Sequence, residues 1–387
     1  MKRKMSSTLT FQHRPNVLLY GVTAPQTAAI LLRGQLAFMR KAGWEVHVVC
    51  SPGSQVDTVR KREGVAVHEL PMRREIALLS DLRSLREWWR LLGRIRPSVT
   101  NLSTPKAALI GSIASLLRRV PRRVYLVRGL RLEGERGVRR AVLWAMERLT
   151  IAMSTDVLVV SASLRDELVA ARLARPKHLT VIESGSSNGV QGREIARRVE
   201  LLDTTGLRAG HGIPPDAFVV CYLGRLASDK GIHDLVDALL RPETETFHLL
   251  AVGEVENGAV VDYLRRLGPR LHLENPVTDV VPILAAADSL CLPTRREGFP
   301  NVVLEAGAAA LPVVTTRATG ARDSVIDGQT GFLVDVGDSL AMAARLNQIA
   351  ADPHLRSNLG QAGRLRTLTD FVPEQIWTEL EHRYHGT

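Results

Sequence analysis

Two carboxylates eight positions apart, Glu297 and Glu305, flank a Gly-Phe-Pro turn in the run Arg296-Glu297-Gly298-Phe299-Pro300-Asn301-Val302-Val303-Leu304-Glu305-Ala306-Gly307. Gly298 permits a tight loop, and Pro300 suits the first position of the helix that the following apolar residues announce. The backbone N–H groups of Phe299, Asn301 and Val302 would then stand at a helix N-terminus, which attracts phosphate without a metal. Glu297 in the loop is placed to meet a sugar, and Glu305, farther into the helix, to accept from ribose hydroxyls. That spacing suits a nucleotide sugar. A second run, Leu223-Gly224-Arg225-Leu226-Ala227-Ser228-Asp229-Lys230-Gly231, sets Arg225 and Lys230 between an expected strand and an expected helix over Ile232–Leu240. Both cations suit a diphosphate.

These residues resemble the retaining glycosyltransferases of the two-Rossmann-domain (GT-B) fold, and Leu32-Arg33-Gly34-Gln35-Leu36 with Ser103-Thr104-Pro105-Lys106-Ala107 resembles the group 4-like subset that builds capsules, O-antigens and polyprenyl-linked glycans. The resemblance rests on the E-x7-E pattern inside Glu297–Gly307. It is reinforced by Pro312-Val313-Val314-Thr315-Thr316 and by Asp327-Gly328-Gln329-Thr330-Gly331-Phe332-Leu333-Val334. It implies that Glu297 positions the sugar and that Arg225 and Lys230 stabilise the departing nucleoside diphosphate. Gly224, Phe299, Pro300, Asn301, Val302 and Glu305 would bind the donor. The donor is implied to be a UDP-sugar, a substrate rather than a cofactor, with GDP-sugars the minority. No Asp-x-Asp occurs in the chain, so the carboxylate clamp of metal-dependent transferases is missing and metal dependence is not expected.

In the N-terminal half the family's Gly-Gly loop is replaced by Tyr20-Gly21-Val22-Thr23-Ala24-Pro25, leaving Gly21 as the candidate at that turn. Thr104-Pro105-Lys106 could hold an acceptor phosphate through Lys106 or could simply open the helix Ala107–Leu117. Where many relatives carry a sugar-contacting His, this chain has Tyr125-Leu126-Val127-Arg128-Gly129-Leu130-Arg131. An arginine is no base at neutral pH, so Arg128 and Arg131 would act by charge, on a diphosphate or an acidic sugar, or stand as plain surface cations. The segment Leu82–Arg96, with Trp88 and Trp89 among arginines, reads either as a helix on a lipid interface or as a core-facing helix with a basic outer side. A further basic run, Arg136-Gly137-Val138-Arg139-Arg140, could extend one positive face.

The elements that must hold these groups follow from length and pattern. A chain of 387 residues exceeds the usual single core, so two domains are expected. Short β-rich runs at Asn16–Tyr20, Glu45–Cys50, Val65–Leu70, Val99–Leu102, Arg123–Val127 and Val157–Val160 alternate with helical patterns, among them one helix over Gln26–Ala42. The rhythm restarts at Phe218–Leu223, Phe247–Val252, Leu271–Glu274, Ser289–Leu292, Val313–Thr315 and Phe332–Val334. The fold class is therefore α/β, two doubly wound halves, which the resemblance sets facing across a cleft. We divide them at the turn-rich segment Glu183–Gly192. Residues 1–188 form the acceptor domain and 189–367 the nucleotide-sugar domain. Residues 368–387 form a terminal helix that the resemblance returns to the first domain and that could equally pack on the second.

Composition bounds the partners. The formal charge of +11 calls for an acidic one, while 4% aromatic residues and the lack of any nucleic-acid-binding signature argue against nucleic acid. No apolar run suffices to span a bilayer, and Met1-Lys2-Arg3-Lys4-Met5-Ser6-Ser7 lacks a signal-peptide core, so a cytoplasmic protein, peripheral on the inner membrane face, is expected. Cys50, Cys221 and Cys291 lie apart, as buried, unpaired thiols. The expected activity is retaining transfer of a hexose or N-acetylhexosamine from a UDP-sugar to a lipid-phosphate-linked or other glycan acceptor. A soluble natural-product acceptor, a sugar-nucleotide epimerase of the same fold and a silent nucleotide-sugar-binding subunit are the other readings.

Overall fold

A computed structural model describes residues 16–72 and 78–386; the Met1–Ser7 stretch read for a leader lies outside them. Contacts divide the chain into two compact units, one up to Val124 and one from Tyr125 onward. The apolar runs become parallel strands because both faces of each are covered by helices, which permits continuous Val, Leu and Ile rather than alternation. The first sheet holds β1 (Val17–Gly21), β2 (Glu45–Cys50), β3 (Ala66–Glu69), β4 (Val99–Ser103), β5 (Arg122–Val127), β6 (Asp156–Val159) and β7 (Leu179–Val181), in the order β3-β2-β1-β4-β5-β6-β7. The second holds β8 (Val219–Leu223), β9 (His248–Val252), β10 (Leu271–Glu274), β11 (Ser289–Leu292), β12 (Val313–Thr316) and β13 (Gly331–Val334), in the order β10-β9-β8-β11-β12-β13. In both, the order reverses beside the strand that opens the sheet, the switch point at which such folds bind ligands. Two doubly wound α/β halves are thus present as expected.

The single helix expected over Gln26–Ala42 is instead two, Pro25–Leu31 and Gln35–Lys41. Gly34, at φ 77°, breaks the run, and the buried Glu63 carboxylate accepts from the N–H groups of Gly34 and Ala37 at 3.1 and 3.2 Å, capping the second piece. Pro300 is likewise the N-cap of its helix, Asn301–Ala308, rather than its first residue. The three-residue β7 was not anticipated; it is too short to stand out as an apolar run.

Of the paired tryptophans on the Leu78–Ile95 helix, Trp88 is fully buried, with its ring beside Gly21 and Gly111. Trp89 is 42% exposed and lies under the Arg118 guanidinium at 3.5 Å. Cys50, Cys221 and Cys291 are buried free thiols, and burial raises all three above the usual thiol range.

One edge strand of each sheet is tied to its neighbour by a histidine pair. His47 of β2 and His68 of β3 stack and are joined Nδ1 to Nε2 at 2.9 Å, and His248 of β9 and His272 of β10 repeat the arrangement at 2.9 Å.

Candidate functional site

The donor candidates converge at the carboxyl ends of β8 and β11. After β8 the chain turns at Gly224, held by the Tyr222 hydroxyl donating to the Arg225 carbonyl at 2.7 Å. Gly231, at φ 71°, closes that loop; a Cβ there would lie 1.9 Å from the Pro293 carbonyl oxygen, so only glycine lets the two loops meet. Their meeting brings Lys230 to Glu297, Nζ to Oε1 at 2.6 Å, with both side chains about one-fifth exposed. The buried Thr294 hydroxyl lies 3.2 Å from the same Oε1 and donates to the Arg296 carbonyl at 3.0 Å. Thr294 stands two residues before the Arg296–Gly307 run, and nothing in the spacing assigned it a part.

Arg225 forms two surface pairs, with Asp229 at 2.7 Å and Glu256 at 3.1 Å. All three side chains are a third or more exposed, so water weakens these pairs and a diphosphate can compete for the guanidinium. Asn301 and Val302 open the Asn301–Ala308 helix, with Pro300 as the cap and Glu305 half-buried one turn on. Phe299 packs at 5.3 Å on Phe371, over a small apolar cluster with Val190 and Leu304. The Ser186 hydroxyl lies 3.2 Å from the Asn301 Oδ1. The motif therefore rests on the turn-rich segment Glu183–Gly192, whose Asn188 in turn accepts from Trp377 Nε1 of the terminal Pro373–His385 helix at 2.7 Å.

The loop after β5 closes on the motif from another side. Gly298 approaches so tightly that a Cβ would sit 1.9 Å from the Arg128 carbonyl oxygen. The Arg296 guanidinium donates to the carbonyls of Glu133 at 2.7 Å and Arg131 at 3.4 Å. Arg128 is half-buried and donates to the Ser187 hydroxyl, while the Arg131 side chain is exposed. Three groups here escaped the sequence reading because their neighbours are remote in the chain. The Ser163 hydroxyl donates to Asp323 and accepts from Gly320 N–H at 2.7 Å. The Glu297 N–H donates to the Thr319 carbonyl at 2.9 Å. The Glu133 carboxyl is raised above its ordinary range by burial and then by Glu167, against the Thr319 hydroxyl, Arg296 and Arg140.

The other two candidates belong to the first unit. Gly21 ends β1, and a Cβ there would strike Leu102 at 2.6 Å and Trp88 at 2.8 Å, so its smallness serves packing. Lys106 is buried and paired with Asp81 at 2.6 Å. Thr104 does not cap the Pro105–Leu117 helix with its side chain; the Thr23 hydroxyl does, receiving the Ala107 N–H at 3.3 Å and joining Thr104 at 2.8 Å.

Taken together, the site offers two cations, a helix N-terminus and a carboxylate paired with one of those cations. Comparison with known proteins gives the same direction. A glycosyl transferase 4-like domain matches residues 28–185, and glycosyl transferases group 1 match residues 217–352. The capsular polysaccharide biosynthesis glycosyltransferase CapM of Staphylococcus aureus is 37% identical over 362 residues, covering 92% of this chain and 93% of that protein. The N-acetyl-alpha-D-glucosaminyl L-malate synthase of Bacillus anthracis is 30% identical over 246 residues, 62% of this chain and 61% of that one. Among solved structures, Anabaena Alr3699/HepE in complex with UDP-glucose superposes with a TM-score of 0.80 at 20% identity, over 96% of this chain and 100% of that chain. WaaG, a glycosyltransferase involved in lipopolysaccharide biosynthesis, superposes with a TM-score of 0.72 at 16% identity, over 96% and 100%. At such identities the superpositions show the shared GT-B fold.

Proposed function

Since the chain belongs to the glycosyltransferases, joining a 4-like domain to a group 1 domain, we propose that it is a retaining, metal-independent hexosyl- or N-acetylhexosaminyltransferase of surface-polysaccharide assembly. The donor is a UDP-sugar, and the acceptor is a lipid-linked glycan met on the inner membrane face. The capsular role of the Staphylococcus aureus relative and the UDP-glucose bound by the Anabaena neighbour support this choice. Residues 189–367 bind the donor and 1–188 the acceptor.

The observation that carries the reading is the Lys230–Glu297 pair beside the Asn301–Ala308 helix N-terminus. In transfer, the bond from the anomeric carbon to the β-phosphate oxygen breaks, and charge accumulates on that oxygen. Lys230, Arg225 and the N–H groups at Asn301 and Val302 meet the charge in place of a metal. Glu297 turns to the sugar hydroxyls and Glu305 holds the ribose. The acceptor hydroxyl attacks the same face of the sugar, and its proton passes to the departing phosphate oxygen.

Titration of the purified protein with UDP and GDP in EDTA, followed by the sugar panel of the tighter nucleotide, tests this directly. Metal-free UDP binding that is lost in Arg225→Ala and Lys230→Ala is expected; absence of nucleotide binding overturns the reading. Glu297→Ala should abolish transfer while the thermal transition stays in place, and near-normal turnover would sink the assignment. Incubation with UDP-N-acetylglucosamine and no acceptor separates an epimerase, which would release an isomeric UDP-sugar.

A further inference from the structure

The Gly137–Met153 helix turns its apolar side chains to solvent. Val138 is 81% exposed, Val142 41% and Leu149 48%, with Ala145 exposed between them. Spaced by four, three and four residues, these positions fall within about 60° of one another at about 100° per residue, a single stripe. Arg139 and Arg148, both exposed, stand roughly 90° from its middle on either side. The helix holds one carboxylate, Glu147, and it lies about 180° away, buried and accepting from the Tyr125 hydroxyl at 2.6 Å. Trp144 Nε1 donates to the Ala171 carbonyl at 2.8 Å, and Thr150, Ile151 and Met153 are buried. The helix is thus fastened by its far side and its C-terminal end.

What remains outward is an apolar stripe bordered by guanidinium groups. Glu135, which precedes the helix, is paired with Arg139 at 3.2 Å. That distribution complements an anionic bilayer: short apolar side chains enter the acyl boundary, and arginine stems reach up to headgroup phosphates. A second copy would set these arginines against themselves on a chain already at +11. No helix among the described residues is long and apolar enough to cross a membrane.

We propose that the Gly137–Met153 helix seats the protein on an anionic membrane surface, with Val138, Val142, Ala145 and Leu149 in the interface. The inference rests on the lipid-linked-acceptor reading and deepens it. The loop that Arg296 ties down at Arg131 and Glu133 leads directly into this helix, so an acceptor emerging there meets the backbone that carries Arg128 and the donor motif.

The test floats the full chain with vesicles of phosphatidylcholine alone and of phosphatidylcholine with about one-third phosphatidylglycerol, at low and high salt. Binding to the anionic vesicles only, weakened by salt, is expected. It should fall about tenfold or more in V142D/L149D and in R139E/R148E, while the circular dichroism and UDP affinity of both variants stay at the parent values. Failure of the parent to bind, or binding unchanged in both variants, overturns the proposal. So does a parent dimer that V142D/L149D dissociates, which would give the stripe to a second copy. Vesicle binding through the helix by a protein that does not bind UDP would sink the donor reading and leave this one standing.

Discussion

The ionic groups of the proposed donor site sit in different surroundings, and substitutions separate them. Lys230 is about one-fifth exposed and faces Glu297, the carboxylate proposed to turn to the sugar, so Lys230→Ala removes a charge-assisted contact that water cannot replace. A UDP affinity loss of about 1.5–3 kcal/mol, roughly ten- to hundredfold, is expected by calorimetry. Arg225 is more exposed and shares its charge with Asp229 and Glu256, so Arg225→Ala should cost less, and its effect should shrink further with added salt. Gly298 is a matter of space. Gly298→Ala drives a methyl into the Arg128 carbonyl, so the motif loop must shift, and kcat/KM should fall at least about tenfold with the global thermal transition little changed. The motif residues were legible because their chemistry is local: Glu297, Gly298 and the helix start are consecutive. The Ser163–Asp323 contact was not, because hydrogen bonds across the fold leave no spacing to read.

At the level of elements, strands were easier to read than helices. Buried parallel strands announce themselves as unbroken apolar runs, whereas the helix expected over Gln26–Ala42 depended on Gly34 being tolerated, and a glycine at positive φ instead ends it. The tandem tryptophans divided between two roles that composition cannot distinguish. Trp88→Ala should destabilise the first unit by about 3–5 kcal/mol in urea, and Trp89→Ala by less than about 1 kcal/mol. The Gly137–Met153 helix carries a pH signature of its own. Burial pushes the Glu147 carboxyl from 4.5 up to about 7, partly offset by the Tyr125 hydroxyl. Because the folded-state value is raised, the fold holds this proton while the unfolded chain has already released it. Stability from this group is therefore greatest below about pH 4.5 and falls as pH rises towards 7, by about 3 kcal/mol. Glu147→Gln keeps an acceptor for Tyr125 and should flatten that part of the urea-midpoint profile against pH.

For the molecule as a whole, two doubly wound halves could be counted from the sequence because the strand–helix rhythm stops and restarts. The net charge of +11 named the sign of a partner without saying where it docks; only the distribution of arginines around one exposed stripe does that. A different whole-molecule property follows from the histidine pairs on β3 and β10. A neutral imidazole offers one donor and one acceptor, so each pair can zip its strand edge until both rings carry a proton, when two N–H groups would face each other. Burial, and then the neighbouring ring, lower His68 and His248, and burial lowers His272 despite Glu274 and the His211 contact. With folded-state values depressed, their contribution is present above about pH 6.5 and is lost as the pH falls below it. Acidification should therefore unfasten both sheets at the same margin. Hydrogen exchange at Ala66–Glu69 and Leu271–Glu274 is expected to quicken below about pH 6 before the central strands respond, and His68→Gln with His272→Gln to abolish that lead. Stripped of their hems, β2 and β9 become open ladders, and the same transition that loosens one molecule gives it a way to stitch to the next.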